Sequence, residues 1–210
     1  MLKITSENIH LFNQNLRYEE PKDIISFVLE VAERPIVTTS FGPFSAVLLH
    51  AVTSLESTIK VIWCDTGYNT DDTYRHAKKL MDLLALNIEI YTPKYTTAFL
   101  NNTMGRPDIE NPKHSAFSEK VKLEPFKRAL DAHRPDVWFT NIRKGQTAHR
   151  NTLDILSITE EGILKVSPFF YYSDDALRKY LSENKLPSEY NYYDPIKALE
   201  NRECGIHFRN

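Results

Sequence analysis

The stretch PIVTTSFGPFSAVLLHAVTSLESTIKVIWCDTG, residues 35–67, decides the fold. Its two ends, Pro35 to Thr39 and Ile59 to Cys64, are short runs rich in β-branched and apolar residues, the composition of strands buried on both faces. Between them Phe44 to Leu55 carries Ala, Val and Leu behind a Gly-Pro turn and reads as a helix. Strand, helix and strand in this order indicate a parallel sheet covered by helices.

The alternation extends in both directions. A helical stretch runs from Asp23 to Glu33 before it; a helix from Asp71 to Leu84, a strand from Asn87 to Tyr91, a helix around Phe117 to Ala132 and a strand from Val137 to Thr140 follow. Leu153 to Ile158 and Ile163 to Val166 flank the turn Thr159-Glu160-Glu161-Gly162 and read as a β-hairpin, with a last helix from Ser173 to Asn184. The expected fold is α/β: an open, mostly parallel sheet of about five strands with helices on both faces, plus a hairpin and helix extension. Residues 1–186 form one domain and 187–210 a polar, extended tail, while Asn101 to His114, with Gly105, Pro107 and Pro112, is expected to be a mobile loop.

Bulk composition narrows the function. With 26 Lys and Arg against 28 Asp and Glu, the net charge is −2, which offers no broad basic surface for nucleic acid. The N-terminus lacks a signal-peptide pattern and no run approaches the roughly 20 apolar residues of a membrane span, so a cytoplasmic protein is expected. Two cysteines, Cys64 and Cys204, cannot furnish a disulfide framework or a four-thiolate metal or iron–sulfur site.

In an open α/β sheet ligands sit beyond the carboxyl ends of the strands, and there this sequence is polar. After the first strand, Thr39-Ser40-Phe41-Gly42-Pro43-Phe44-Ser45 offers hydroxyls, a Gly turn and free helix-start N–H groups to an anion; a Ser-rich helix cap reads the same residues equally well. After the second, Asp65-Thr66-Gly67-Tyr68 suits a ribose or base edge, or simply a strand-to-helix turn. After the fourth, Asn141 to Arg150 packs Arg143, Lys144, Gln146 and Arg150 into a short span whose guanidinium forks match phosphate or sulfate. Lys122 lies on the preceding helix. Of six glycines, Gly42, Gly67, Gly145 and Gly205 fall in the polar segments. Cys64 ends an apolar strand and reads as core, and Trp63 and Trp138 likewise. Cys204, between Arg202 and His207 on a polar tail, has neighbours that would favour a thiolate; an inert exposed thiol at a frayed terminus reads the same residues equally well.

Taken in order, Thr39 to Ser45, Asp65-Thr66-Gly67-Tyr68 with Thr73-Tyr74, Lys122-Leu123-Glu124-Pro125, Arg143-Lys144-Gly145-Gln146-Thr147 through Arg150, and Glu203-Cys204-Gly205-Ile206-His207 resemble the phosphoadenylyl-sulfate (PAPS) reductases of the PP-loop adenine-nucleotide superfamily. The resemblance runs from about Pro35 to His207 and implies a nucleotide core over about 22–168. It implies that Cys204 attacks the sulfonucleotide sulfur, releasing adenosine 3′,5′-bisphosphate and leaving an S-sulfocysteine, from which external thioredoxin or glutaredoxin releases sulfite. It further implies that Ser40, Phe41, Gly42 and Ser45 cradle the nucleotide, that Asp65, Thr66 and Gly67 lie beside the adenosine, and that Lys122, Arg143, Lys144, Gln146 and Arg150 hold anionic groups. Arg202 and His207 would assist Cys204, and a homodimer is expected. No metal and no tightly bound cofactor are implied. The alternatives are an adenylyl-sulfate reductase or related sulfonucleotide enzyme, and an inactive nucleotide-binding or redox-sensing relative. The segment before Glu203 is short for the family, which leaves substrate-closing contacts missing or supplied by another subunit.

Overall fold

A computed structural model describes residues 4–105 and 110–192. Six strands, β1 (Pro35–Thr39), β2 (Lys60–Cys64), β3 (Ile88–Tyr91), β4 (Val137–Phe139), β5 (Leu156–Ile158) and β6 (Leu164–Val166), make one sheet in the order β3-β2-β1-β4-β6-β5. Every pairing is parallel except β5 with β6. The hairpin is therefore not an extension. Its second strand pairs with β4, Trp138 opposite Lys165, and raises the sheet from the expected five strands to six.

Alternation along the strands sorts residues to two faces. Val37, Val61, Trp63, Val137, Phe139, Leu164 and Val166 enter the larger core. That core is closed by α1 (Ile9–Leu16), α2 (Pro21–Leu29), α3 (Ser45–Thr53), α4 (Asp71–Leu83) and α8 (Asp174–Glu183), which supply Leu16, Ile24, Ile25, Val28, Leu48, Leu49, Leu80, Leu177 and Leu181. Ile36, Ile62 and Trp138 face the other way, onto Phe126 and Ala129 of α7 (Glu124–His133). Burying four large apolar side chains of α3, among them Val47, Leu48 and Leu49, contributes about 2 kcal/mol each, which explains why a helix lacking a side-chain cap holds its place.

Three local features depart from the sequence expectation. The supposed mobile loop from Asn101 begins inside a helix, α5 (Thr97–Met104), whose N-terminus is capped by Thr96 Oγ1 accepting from Phe99 N–H. The helix expected from Phe117 is three joined pieces: α6 (His114–Ser118), a π-helical turn Glu119–Leu123, and α7. Pro125 lacks an N–H and crowds the carbonyl four residues back, so the chain widens just before it. Third, α1 precedes everything that periodicity reveals. Its buried Asn13 donates Nδ2–H to the Leu156 carbonyl (3.0 Å) and accepts from Leu156 N–H (2.8 Å), closing the edge strand β5 with a side chain.

Replacing Asn13 by Ala is expected to lower the unfolding free energy by about 2 kcal/mol, because both backbone groups of Leu156 lose their partner inside the protein. A urea midpoint unchanged from the parent chain would show that α1 does not secure the edge.

Candidate functional site

The chain order runs β1, β2, β3 to one side and then returns to β4 on the other side of β1. Such a reversal opens a crevice beyond the strand ends. A cleft of about 220 Å³ lies there, walled by Thr38, Thr39 and Ser40 after β1, Cys64 and Thr66 after β2, Thr140 to Arg143 after β4, and Lys165 of β6. Gly42 to Ser45 and Leu48 bring the start of α3 into the wall, so the partial positive end of that helix faces the space. The floor is apolar, formed by Ile62, Phe126 and Trp138.

Of the candidates read from sequence, Ser40, Gly42, Ser45, Thr66, Lys122, Arg143, Gln146 and Arg150 line this cleft. Lys122, buried in the π-helical turn, brings an ammonium to it. Gln146 Oε1 accepts from Arg143 N–H (2.9 Å) and from Arg150 Nη1, which ties the loop after β4 into one unit. Arg143 is buried, stacks over Phe44 at 5.0 Å, and donates Nη1–H to Asp174 Oδ1 (2.6 Å) on α8. Its Nε, like Oδ1 of the nearby Asn141, is buried without a hydrogen-bond partner among the described residues. A buried donor and acceptor left without partners cost free energy unless a ligand or solvent meets them.

Other candidates stand elsewhere. The Phe41 side chain is fully buried, edge-on to Trp63 with ring centroids 4.9 Å apart, so it anchors the turn from the core side instead of lining the cleft. Asp65 Oδ1 accepts from Gly67 N–H (3.0 Å), Asn69 Nδ2–H (2.9 Å) and Tyr74 O–H (2.9 Å). The carboxylate builds its own turn, and burial followed by that hydrogen bond pushes the Tyr74 hydroxyl up to about 12. Gly67 has φ +76°, and a Cβ there would meet Thr97 Oγ1 at 2.8 Å, so glycine lets the turn close on α5. Lys144 is exposed and turns outward, its Nζ 5.4 Å from the centre of the Tyr171 ring. Arg202, Cys204 and His207 lie outside the described residues.

Sequence reading missed Lys165, Asn141, Trp138 and Tyr192 as wall residues. It also took Cys64 as core, whereas Cys64 is partly exposed and lines the cleft. Burial pushes its thiol up to about 12, against the smaller opposing pull of Lys122 and Arg128. Tyr192 belongs to a segment that crosses the cleft mouth: Ser188 Oγ donates to the Pro43 carbonyl (2.6 Å), Thr70 Oγ1 donates to the Asn191 carbonyl (3.1 Å), and Asn191 Nδ2 donates to Asp72 Oδ2 (2.6 Å). The Tyr192 ring then lies against Gly42, within 3.5 Å of where a Cβ would stand.

A family model described as phosphoadenosine phosphosulfate reductase domain matches residues 34–194. Among curated proteins, a phosphoadenosine 5′-phosphosulfate reductase of Aliivibrio salmonicida is 32% identical over 189 residues, covering 88% of this chain and 72% of its own. One from Xylella fastidiosa is 31% identical over 232 residues, covering 96% and 94%. Among solved structures, a Candida auris PAPS reductase in a phosphate complex superposes with TM-score 0.78 at 22% identity, covering 89% of this chain and 90% of its own. A Candida glabrata FMN adenylyltransferase shares the fold at TM-score 0.61 and 11% identity, covering 90% and 61%.

In a Cys204→Ser chain, iodoacetamide is expected to label Cys64 slowly, with a rate still climbing about tenfold per pH unit above the ordinary thiol value of 9.0 because the folded thiol keeps its proton to about 12. A rate that levels off near pH 9 in the folded protein would contradict the neutral, buried thiol.

Proposed function

The chain belongs to the phosphoadenosine phosphosulfate reductase domain family, an oxidoreductase family acting on sulfonucleotides, and we propose that it reduces phosphoadenylyl sulfate through Cys204. The observation that carries this reading is the sorting of charge. In a chain with more acidic than basic residues, the described wall of the cleft holds Lys122, Arg143, Arg150 and Lys165 and not one Asp or Glu. Such a wall at a strand-end crevice selects a compact, multiply charged anion of nucleotide size.

The Cys204 thiolate attacks the sulfur of the bound nucleotide. The S–O bond to the phosphate breaks, its electron pair leaves with adenosine 3′,5′-bisphosphate, and Cys204 carries a sulfonate. A thiolate of an external dithiol, thioredoxin or glutaredoxin, then attacks Cys204 Sγ. Sulfite departs with the electrons of the S–S bond, and the second thiol of the reductant frees Cys204 by forming the reductant's disulfide. The need for an outside dithiol is supported by Cys64, the one other thiol of the chain, being held neutral by burial. The cytoplasm and a homodimer complete the proposal, on the family resemblance alone.

The tail acts on its own chain's cleft. What supports this is the path of residues 188–192, fastened to Pro43, Thr70 and Asp72 with Tyr192 in the cleft wall. From Tyr192, Cys204 is twelve residues further on, a reach on the order of 40 Å when extended, so the short linking segment is no obstacle to the sulfur.

Two experiments test the reading. Incubating the reduced protein with phosphoadenylyl sulfate is expected to add one sulfonate to the intact mass, removed by thioredoxin and missing in Cys204→Ser. No adduct with either phosphoadenylyl or adenylyl sulfate would overturn the activity; an adduct surviving Cys204→Ser would overturn the nucleophile. Refolding Cys204→Ser together with Arg150→Ala is expected to give no sulfite production beyond that of the two separately. Restored activity would mean that the tail works across subunits.

A further inference from the structure

Lys165 places a charged side chain on an otherwise apolar strand. It is the middle residue of the three-residue strand β6, between Leu164 and Val166, both buried in the larger core. It projects to the opposite face, beside its register partner Trp138, with Nζ 4.9 Å from the centre of the indole. That indole is itself fixed: its Nε1–H donates to Thr38 Oγ1 (2.8 Å) and its ring sits 5.1 Å from Phe126. The ammonium is thus held over an aromatic wall and opens into the cleft. Lys122 reaches the same cleft from the π-helical turn that leads into α7, the helix packed on Trp138, and its charge is felt at Cys64 on the end of β2.

These two lysines stand apart from the other cations of the cleft. Arg143 and Arg150 come from the loop after β4, tied to Gln146, to Phe44 at the start of α3 and to Asp174 of α8. The apolar residues Ile62, Phe126 and Trp138 line the same cleft, a low-dielectric surface against which fixed charge acts strongly. A cleft that gathers cations from two separately anchored sets of elements, together with aromatic surface, suits a ligand that carries two anionic groups and a flat, apolar portion.

We propose that Lys165, with Lys122, forms a second anionic subsite on the Trp138 side of the cleft that takes a phosphate-class group of the nucleotide, while the Arg143, Gln146 and Arg150 loop takes the other anionic end. The assignment rests on the sulfonucleotide reading above. It makes Lys165 a binding residue that separates ligands by the number and position of their charged groups.

Equilibrium binding of three commercially pure nucleotides to the full chain tests it: adenosine 3′,5′-bisphosphate, adenosine 5′-monophosphate and adenosine 3′-monophosphate. Lys165→Gln is expected to weaken the bisphosphate by about tenfold or more, and Lys165→Arg, which keeps the charge, to recover most of that loss. If the 3′-monophosphate weakens with it and the 5′-monophosphate does not, the subsite takes the 3′-phosphate; the opposite pattern assigns it the 5′ group. Lys144→Gln, removing a cation that lies over Tyr171 outside the cleft, is expected to leave all three unchanged. The proposal is overturned if Lys165→Gln binds all three within about twofold of the parent chain, or if Lys144→Gln is as damaging, since the effect would then be one of net charge. Should Lys165→Gln fail to fold, Lys165→Met, which preserves the stem over Trp138, gives the same reading. A parent chain that binds no bisphosphate at all would instead count against the sulfonucleotide reading itself.

Discussion

The edge-on packing of Phe41 against Trp63 is the contact on which the site hangs. Phe41 adopts a left-handed backbone conformation, φ +51°, which a bulky side chain takes up at a cost of about 1–2 kcal/mol. Full burial of its ring against the end of β2 contributes about 2–3 kcal/mol in return, and Phe41 N–H donates to Thr39 Oγ1 at 3.0 Å. The chain therefore reverses sharply after β1, and the start of α3 is drawn over the crevice with Gly42 and Ser45 on its wall. Trp63 also packs against Tyr74, which hydrogen-bonds Asp65. One indole thus fixes the turns after both central strands, so the spacing of the two walls is set by core packing and not by the polar residues that line them.

Charge is arranged around that frame by the same economy. Acidic residues gather where helices begin, Asp71 and Asp72 on α4 and Asp174 and Asp175 on α8, where the helix dipole favours them. Two of these also hold the site's surroundings in place: Asp72 fastens Asn191 at the cleft mouth, and Asp174 fastens Arg143. These carboxylates orient neighbouring donors while none of them lines the cleft itself. The wall keeps its cations, and in Arg143 Nε and Asn141 Oδ1 it keeps a buried donor and acceptor with no hydrogen-bond partner among the described residues.

Much of this was legible in the chain itself, and the misses share a cause. Most strand and helix assignments between Asp23 and Asn184 needed only apolar periodicity, because the central strands are buried on both faces and the helices on one. Helix α1 escaped because its anchor is a polar residue, Asn13, paired with the backbone of β5. Helix α5 escaped because only Leu100 of it is buried. The hairpin was recognised but not its docking, since nothing in β5 or β6 announces which strand it will join. Of the candidate residues, Lys144 and Asp65 follow β4 and β2, yet their side chains serve Tyr171 and the turn; a loop's composition does not say which way each residue faces.

Local pattern alone fixes that parallel strands end together in polar loops, that those loops carry Ser40, Gly42, Arg143 and Arg150 with Lys122 on the helix before the fourth strand, and that the chain holds just two cysteines. These follow from local pattern and from counting, which depend on no long-range contact. Long-range packing sets β6 beside β4, and with it Lys165 next to Trp138 in the same cleft. Only the tertiary structure showed residues 188–192 returning to their own chain's site, fastened at Pro43, Thr70 and Asp72. The physical reason is sequence separation: these groups lie far apart along the chain and meet only because the closed core of the sheet leaves them one arrangement.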